Sequence, residues 1–242
     1  MLRRPRDRHP APRLGDRDLA TAWQVVSLLL DYPDEALLGR LAVVREAAGT
    51  LPASVREPVC RFVAFVESTP LSALQRDYVE TFDVTRRCCL YLTYFAHGDT
   101  RKRGLALVQF KQAYRKAGVE LDAAELPDHL CVVLEFGAAH GPETAWTLLN
   151  DHRAGIEMLR IALADKGSPW HDVVLALVAT LPELKGEDEE KMLALIAQGP
   201  PSEEVGLDLQ PYAMDPRLNP RPSDDLDHGP VDLGHTIPVG AP

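Results

Sequence analysis

The sequence predicts an all-α fold, a single-domain helical bundle, for three reasons. Apolar residues recur at i, i+3, i+4 and i+7 along most of the chain, the spacing of one helix face. Strand signals are scarce, since aromatic residues make up only 6% of the 242 residues and no hairpin dipeptide separates alternating runs. Prolines and glycines punctuate the periodic segments in the positions that begin and end helices.

Four helices are predicted in the first third of the chain, at 19–30, 33–48, 54–67 and 71–82. Asp16 or Asp18 is a plausible cap for the first helix. That helix ends before Pro33, because the residue preceding a proline avoids the α region. Pro33 itself suits the first turn of the second helix. Pro58 falls inside the third helix and leaves its start open.

Six more helices are predicted, at 89–96, 99–116, 127–138, 142–167, 169–181 and 187–197. Gly98 breaks the first of these, and Asp99 is placed to cap the next. Gly118 is a natural stop after Lys116, and Gly167 closes the long helix. Leu107, Phe110, Tyr114 and Ala117 are expected on one side of the helix at 99–116.

Composition divides the chain into three predicted parts. Residues 1–17 form a flexible Arg-rich arm, and residues 18–198 form the helical domain. Residues 199–242 hold nine of the twenty prolines and eight acidic residues against two arginines, which predicts a mostly disordered acidic tail. The formal charge is −10 for the whole chain. The region between residues 19 and 198 carries a net −7, so a basic peptide is a compatible partner.

Several classes of protein are disfavoured. The acidic body argues against nucleic-acid binding, which needs a basic face. No run of 18 apolar residues or signal peptide is present, so a soluble, cytoplasmic protein without a membrane span is expected. The four cysteines lack framework spacing and are interpreted as free thiols of a reducing compartment.

Catalytic motifs are also missing. The chain contains no GxxxxGK[ST], GxGxxG, HExxH or GxSxG pattern, so no catalytic residues are assigned. Cys88, Cys89, His97 and His129 lack the paired spacing of structural zinc sites, so no metal site is predicted. A helical metal-dependent hydrolase and a ligand-binding transcription regulator remain alternatives, although the prolines among residues 3–17 make a poor recognition helix.

Two polar segments have sufficient local explanations. His97-Gly98-Asp99, with the basic residues 101–103, is typical of a turn followed by a helix start. Glu125-Leu126-Pro127-Asp128-His129-Leu130 is typical of a helix entry, with Asp128 in the first turn and His129 able to titrate near neutral pH.

The order of the motifs between Tyr78 and Phe136 is more specific than any single motif. Those motifs are YVETFD at 78–83, LYLTY at 90–94, HGD at 97–99 with Arg101, Arg103 and Gly104, Tyr114 with Gly118, and LPDHL at 126–130 with VLEF at 133–136. In this order the segment resembles the nitrate reductase molybdenum cofactor assembly chaperones, the NarJ family within the TorD-like group. The resemblance covers roughly residues 18–198. Cys88-Cys89 and the Pro-rich tail depart from it.

The resemblance implies a TorD-like helical fold and a non-enzymatic role. Family members bind the cofactor-free catalytic subunit of respiratory nitrate reductase, including its N-terminal segment. They support insertion of the molybdenum cofactor, delay membrane docking and are not part of the finished enzyme. No stably bound cofactor is therefore expected. The group's peptide-binding segment, an acid followed by Pro-x-Asp-His, is approximated by Glu125, Pro127, Asp128 and His129, with Leu126 as an extra residue.

A client-binding surface is the resulting hypothesis. Its residues would be Tyr78, Phe82, Asp83, Tyr91, Tyr94, His97, Asp99, Arg103, Pro127, Asp128 and His129. In this hypothesis a basic amphipathic client segment lies in a groove between helices. Asp83, Asp99 and Asp128 would form an acidic rim, and the aromatic residues would divide between the groove and the core.

Overall fold

The computed structural model describes residues 12, 14–98, 100–121, 125–184, 189–190, 193–194 and 197. Between residues 14 and 184 the described residues form ten α-helices in this order: α1 Asp16–Leu30, α2 Glu35–Gly49, α3 Ala53–Ser68, α4 Leu71–Tyr78, α5 Tyr94–His97, α6 Arg101–Lys116, α7 Leu130–Ala139, α8 Pro142–Asp151, α9 Arg153–Lys166 and α10 Trp170–Thr180. A π-helical turn, Val79–Val84, extends α4, and a 3₁₀ turn, Arg86–Cys88, follows it. The predicted all-α fold is confirmed.

Helix α1 forms the centre of the core and packs against α2, α7 and α10. Its residues Trp23, Val26, Leu29 and Leu30 are fully buried. Because Gly137 of α7 has no side chain, α7 approaches α1 closely: a Cβ there would lie 2.6 Å from the Trp23 ring. The core therefore forms around the apolar stripe that the periodicity of α1 predicted.

Two buried side chains complete the C-terminal end of α1. The last carbonyls of a helix lack partners within it. Trp170 Nε1 donates to the Leu29 carbonyl at 3.2 Å, and the Tyr78 hydroxyl donates to the Leu30 carbonyl at 3.0 Å. The chain leaves α1 at Asp31 in a position fixed by α4 and α10.

Several predicted helix starts need correction. Gly15 is the N-cap of α1, and Asp16 and Asp18 lie within its first turn, where carboxylates complement the helix dipole. Asp34, rather than Pro33, begins the second helix, and its side chain accepts a bond from the Leu37 amide at 2.7 Å. Pro58 is accommodated inside α3.

Three predicted helices also differ from the observed ones. The segment predicted as a helix at 89–96 is extended at Tyr91 and helical only in α5. Helix α7 begins at Leu130, so Pro127 and Asp128 lie in the preceding turn and not in the helix. The long helix predicted at 142–167 breaks at His152, whose backbone departs from helical geometry.

Burial varies along the side of α6 that carries the four predicted apolar residues. Phe110 and Tyr114 are buried, Leu107 is half-buried and Ala117 is exposed. Gly118 and Gly167 take positive φ values after α6 and α9, as their predicted stop positions require.

Some predictions cannot be compared with the structure. Residues 1–11 and 198–242, and Asp99, lie outside the described residues, so the flexible arm, the disordered tail and the Asp99 cap stay predictions. In the helix predicted at 187–197, the described residues 189–190, 193–194 and 197 are helical. Among the helices described, none is long and apolar enough to cross a membrane.

Candidate functional site

Two distant segments of the chain meet at Tyr91 and His129, which form an isolated antiparallel β-bridge. Two backbone bonds flank this pair: Leu92 N donates to Asp128 O at 3.0 Å, and Leu130 N donates to Leu90 O at 2.9 Å. The two rings lie edge to face, with centroids 5.2 Å apart. The bridge joins the segment 89–93 to the entrance of α7, and we call it the 91/129 crossing.

Asp128 lies beneath the crossing and is completely buried. Its Oδ2 atom accepts from the Thr93 amide at 3.3 Å and from the Thr93 hydroxyl at 2.5 Å. The Arg103 guanidinium approaches the same oxygen, with Nη2 at 3.9 Å. Among the described residues, Oδ1 has no hydrogen-bond partner. The carboxylate thus links the turn 125–129, the segment 89–93 and α6.

Helix α6 supports the crossing through two further contacts. The Arg103 guanidinium carbon lies 5.2 Å from the centre of the Tyr91 ring, in a cation–π arrangement. The buried Tyr114 hydroxyl donates to the Pro127 carbonyl at 2.6 Å. Arg103, Pro127 and Asp128 therefore form one connected support under Tyr91 and His129.

The expected placement of Asp128 on an exposed rim is wrong. Its side chain is 0% exposed and faces Thr93 and Arg103. A buried carboxylate needs hydrogen-bond donors, and here the backbone and hydroxyl of Thr93 supply them. Asp128 is consequently in a position to orient the crossing and not to meet a partner's charge directly.

The aromatic candidates divide into two groups. Tyr78 and Phe82 are buried, with ring centroids 4.7 Å apart, and each packs edge to face on Trp170. Burial raises the pKa of Tyr78 well above its ordinary value. Tyr91 and Tyr94 are only half-buried. The first pair belongs to the core, and the second pair is available at the surface.

An acidic surface surrounds the 91/129 crossing. We define the acidic face as the exposed residues Asp31, Tyr32, Asp83, Glu125 and Glu135 together with the half-buried Tyr91 and His129. Tyr32 is 46% exposed, and its ring lies edge to face on Tyr78 at 5.4 Å. Because Asp31 and Tyr32 directly follow α1, the buried bonds at the end of that helix fix their position.

Titration of His129 and Glu135 reflects this crowding of carboxylates. Burial lowers the pKa of His129, while the carboxylates of Asp128, Asp31 and Glu125 oppose that effect. Burial also raises the pKa of Glu135, and Asp31 and Glu125 raise it further. Asp31 and Glu125, from separate segments, thus act on both His129 and Glu135, so the negative potentials of these two acids overlap on one face.

Asp83 also acts on the crossing, through Tyr91. It is exposed in the π-helical turn Val79–Val84. Burial raises the pKa of Tyr91, with further contributions from Cys89, Asp128 and Asp83 that Arg103 opposes. The π-helical turn buries Phe82 while leaving Asp83 on the surface.

His97 and Tyr94 lie at the short helix α5. The His97 carbonyl accepts from the Thr100 hydroxyl at 2.8 Å, and the Tyr94 carbonyl accepts from the Gly98 amide at 2.8 Å. Gly98 has φ 54°, a left-handed value that favours glycine. These bonds match the predicted turn structure. Asp99, predicted beside them, lies outside the described residues.

Sequence reasoning missed Asp31, Tyr32 and Glu135 as surface candidates. Tyr32, the residue before Pro33, was interpreted only as the end of a helix, and Asp31 was given no role. Glu135 follows His129 by six residues, a spacing of nearly two turns that identifies no shared surface by itself. Only the packing of α1 beside α7 brings these positions together.

The residues that the structure describes contain no group of three or more His, Cys, Asp or Glu side chains arranged to hold a metal ion. The four cysteines, all within that part of the chain, form no disulfide with one another. Cys88 and Cys131 are buried. Burial raises the pKa of both thiols, which favours the protonated form at neutral pH.

Comparison with known proteins agrees with this architecture. Residues 48–176 match the family model described as nitrate reductase delta subunit. The chain is 30% identical over 172 residues to a Bacillus subtilis protein assigned as the nitrate reductase molybdenum cofactor assembly chaperone NarJ, covering 69% of this chain and 92% of that protein. It is 32% identical to Escherichia coli NarJ over 163 residues, covering 64% and 69% of the two chains.

A longer relative is the nitrate reductase-like protein NarX of Mycobacterium tuberculosis, 37% identical over 175 residues. That match covers 72% of this chain, which spans only 26% of the length of NarX. The solved structure of a redox enzyme maturation protein from Archaeoglobus fulgidus shares the fold, with a TM-score of 0.51 at 24% identity, covering 66% and 93% of the two chains.

The two NarJ relatives are named as assembly chaperones and not as catalysts, in agreement with the predicted non-enzymatic role. The family-model match includes the segment 89–93, α6 and the turn before α7. The chain belongs to the nitrate reductase delta subunit family.

Proposed function

We propose that this chain is a cytoplasmic assembly chaperone for respiratory nitrate reductase. In this proposal it binds the catalytic subunit before the molybdenum cofactor is inserted and supports that insertion. It delays membrane docking of the subunit and is absent from the finished enzyme. The chain itself holds no cofactor stably. The names of its NarJ relatives support the chaperone role and the cofactor that is handled.

The acidic face is the observation that carries the proposal. Four exposed carboxylates, of Asp31, Asp83, Glu125 and Glu135, belong to four separate segments of the chain. Asp31 and Asp83 both act on Tyr78, and Asp31 and Glu125 both act on His129 and Glu135, while Asp83 also acts on Tyr91. A basic peptide approaching the 91/129 crossing would be attracted from several sides.

Aromatic side chains on the same surface supply apolar contact. Tyr32 and Tyr91 combine an exposed or half-exposed ring with a hydroxyl, which suits contacts that are partly apolar and partly hydrated. An amphipathic client segment would lay its apolar side against these rings and its basic residues against the carboxylates. We assign this role to the N-terminal segment of the catalytic subunit.

Asp128 and Arg103 act on the client indirectly in this proposal. The Asp128 carboxylate holds Thr93, and the Arg103 guanidinium covers the Tyr91 ring. Both side chains therefore set the position of Tyr91 and His129. Tyr78 and Phe82 play a similar part from the core, because Tyr78 bonds to the end of α1 just before Asp31 and Tyr32.

Charge-neutralising variants test the direct contacts. Calorimetry with the client's N-terminal peptide would compare the wild-type chain with the double variant Asp31→Asn/Glu125→Gln. A matched control, Glu46→Gln/Asp165→Asn, removes two exposed carboxylates from α2 and α9. We expect at least about a tenfold loss of affinity only in the first variant, and weaker binding as salt rises. Equal affinities in all three proteins would exclude the acidic face.

Recovery of the client tests the role itself. The tagged chain would be isolated from cells that express the nitrate reductase subunits, with and without synthesis of the molybdenum cofactor. We expect the catalytic subunit to be enriched on the chain when the cofactor is absent. Recovery of equal amounts in both cells, or of the fully assembled membrane enzyme, would contradict a chaperone that acts before cofactor insertion.

A further inference from the structure

A cavity separate from the proposed client site lies against α9 and α10. Its volume is about 420 Å³, and it is open to solvent on one side. Ile161, Leu175 and Val178 form much of its apolar wall, while Arg153, Glu157 and Arg160 of α9 form a charged floor. This size and this mixture of apolar wall and few polar groups are typical of small-ligand sites.

Within the charged floor, both carboxylate oxygens of Glu157 are already paired with arginines. Glu157 Oε1 lies 2.7 Å from Arg153 Nη2, and Glu157 Oε2 lies 2.6 Å from Arg160 Nε. Each carboxylate oxygen therefore already accepts from one guanidinium group. Two cations against one anion leave a net charge of +1 on the floor.

Arg153, among the described residues, has hydrogen-bond donors in the floor that lack an acceptor. Its side chain is 8% exposed. In the part of the chain that the structure describes, its Nε and Nη1 atoms are buried and have no hydrogen-bond acceptor. Burial lowers the pKa of Arg153 in spite of Glu157, as expected for a cation removed from water. A buried guanidinium donor without an acceptor is costly, so an oxygen ligand would be stabilising here.

We propose that this cavity binds the carboxylate end of an apolar chain. The Arg153 guanidinium would turn from its buried position towards the cavity so that the carboxylate accepts from it, and the apolar chain would cover Ile161, Leu175 and Val178. Exposed Glu183 and Glu189 also line the cavity, which disfavours multiply charged anions such as phosphate esters. A monoanion with an apolar body would place its charge beside the arginines of the floor and its apolar part against the wall.

Two sources can supply this chemistry: the C-terminus of a peptide that ends in apolar residues, and a medium-chain fatty acid. Calorimetry on the full chain would use N-acetyl-Leu-Leu and octanoate as probes, each beside its neutral amide. We expect at least one carboxylate to bind about tenfold or more tightly than its amide, because a charged hydrogen bond is lost in the amide. Binding of only one acid would identify the source.

Variants of the cavity make the proposal specific to Arg153. Arg153→Met keeps the length of the side chain but removes its donors, and we expect it to abolish the preference for the acid. Arg45→Met is the matched control, since it removes an exposed ion pair with Glu67. Ile161→Trp would fill the cavity while leaving the floor intact, so it tests the site even where Arg153→Met does not fold.

The results would decide between two outcomes. Loss of binding in Ile161→Trp, with normal binding in Arg45→Met, supports the site. Equal affinities for acids and amides, absence of binding for all four probes, or unchanged binding in the cavity variants would overturn it. Because the client peptide is absent from these measurements, failure of the cavity proposal leaves the acidic face to its own test.

Discussion

Asp128 and Glu157 are both buried carboxylates beside arginines, but their partners come from different distances along the chain. Glu157 is bonded by Arg153 and Arg160 of its own helix, four and three residues away. Asp128 is bonded by Thr93, 35 residues away, and approached by Arg103 of α6. The first arrangement stabilises one helix and its cavity floor. The second holds three separate segments under the acidic face.

The two carboxylates also differ in how completely they are satisfied. Both oxygens of Glu157 accept close charged bonds, whereas Asp128 Oδ1 has no partner among the described residues and Arg103 remains 3.9 Å from Oδ2. A fully paired buried charge mainly contributes stability that is lost when one partner is removed. A partly paired charge between distant segments mainly determines their relative position. The ion pairs of Glu157, which we call the Glu157 network, therefore mainly stabilise the fold, whereas the contacts of Asp128 mainly position separate segments.

The largest expected effect on stability comes from breaking the ion pairs of Glu157 with Arg153 and Arg160. Glu157→Gln should lower the free energy of unfolding by about 3 kcal/mol, because it leaves Arg153 buried without its anion. Urea denaturation measures this change. Glu67→Gln is the control, since its pair with Arg45 is exposed and should contribute about 0.5 kcal/mol or less. A similar small loss in both variants would contradict the importance of burial.

Glu157→Gln should leave the acidic face unchanged. In the part of the chain that the structure describes, Arg153, Glu157 and Arg160 form no bond to the 91/129 crossing. Affinity for the client peptide should therefore match that of the wild type at a temperature where both are folded. A specific loss of peptide affinity in this variant would show that the two regions are coupled.

Asp128→Asn should lower the free energy of unfolding less than Glu157→Gln does. It should, however, loosen the 91/129 crossing, which Glu157→Gln leaves unchanged. The amide retains one acceptor for Thr93 but loses the attraction to Arg103, so about 2 kcal/mol should be lost. Hydrogen exchange should become faster at the amides of Leu92 and Leu130, which carry the bonds of the crossing. Exchange confined to α7, with the crossing still protected, would contradict a positioning role for Asp128.

The Glu157 network could be predicted only in part from the sequence. The i, i+3 and i, i+4 spacing of Arg153, Glu157 and Arg160 is visible in the sequence and implies contact on one helix face. Even so, the burial of these charges depends on α10 and the residues after it, which periodicity does not locate. Helix type and order were therefore predictable, whereas the cavity was not.

The 91/129 crossing was predictable only in part. The motif order placed Tyr91, Asp128 and His129 in one hypothesis, and the structure brings these three together. The extended backbone at Tyr91 was missed because its apolar neighbours fit a short helix equally well. Pairing between segments almost forty residues apart depends on tertiary packing, which overrides the local preference.

Tyr114 and Tyr78 provide a narrower test of the support under the acidic face. Tyr114→Phe removes the buried bond to the Pro127 carbonyl, and Tyr78→Phe removes the bond to the Leu30 carbonyl. Each should cost about 1 kcal/mol in urea denaturation. Tyr114→Phe should loosen the turn before α7, whereas Tyr78→Phe should loosen Asp31 and Tyr32. Identical exchange patterns in the two variants would contradict this division.

The smallest expected effect is a pH dependence shared by the two regions. Burial lowers the pKa of His129 at the crossing and of His152 beside Arg153. An unfolded histidine titrates near about pH 6.5, so the unfolded chain takes up protons first as the pH falls. Stability should then decrease from about pH 7 towards about pH 5.

His129→Gln and His152→Gln should each remove part of this acid sensitivity. The acid sensitivity contributed by His129 should depend on Asp31 and Glu125, because their carboxylates raise the pKa that burial lowers. In the Asp31→Asn/Glu125→Gln background, His129 should therefore contribute more acid sensitivity than in the wild type, while His152 should contribute the same. Thermal unfolding at about pH 5 and about pH 7 would measure both. An equal response of the two histidines would mean that the carboxylates of the acidic face do not reach His129, and the overlap of potentials on which that face depends would be absent.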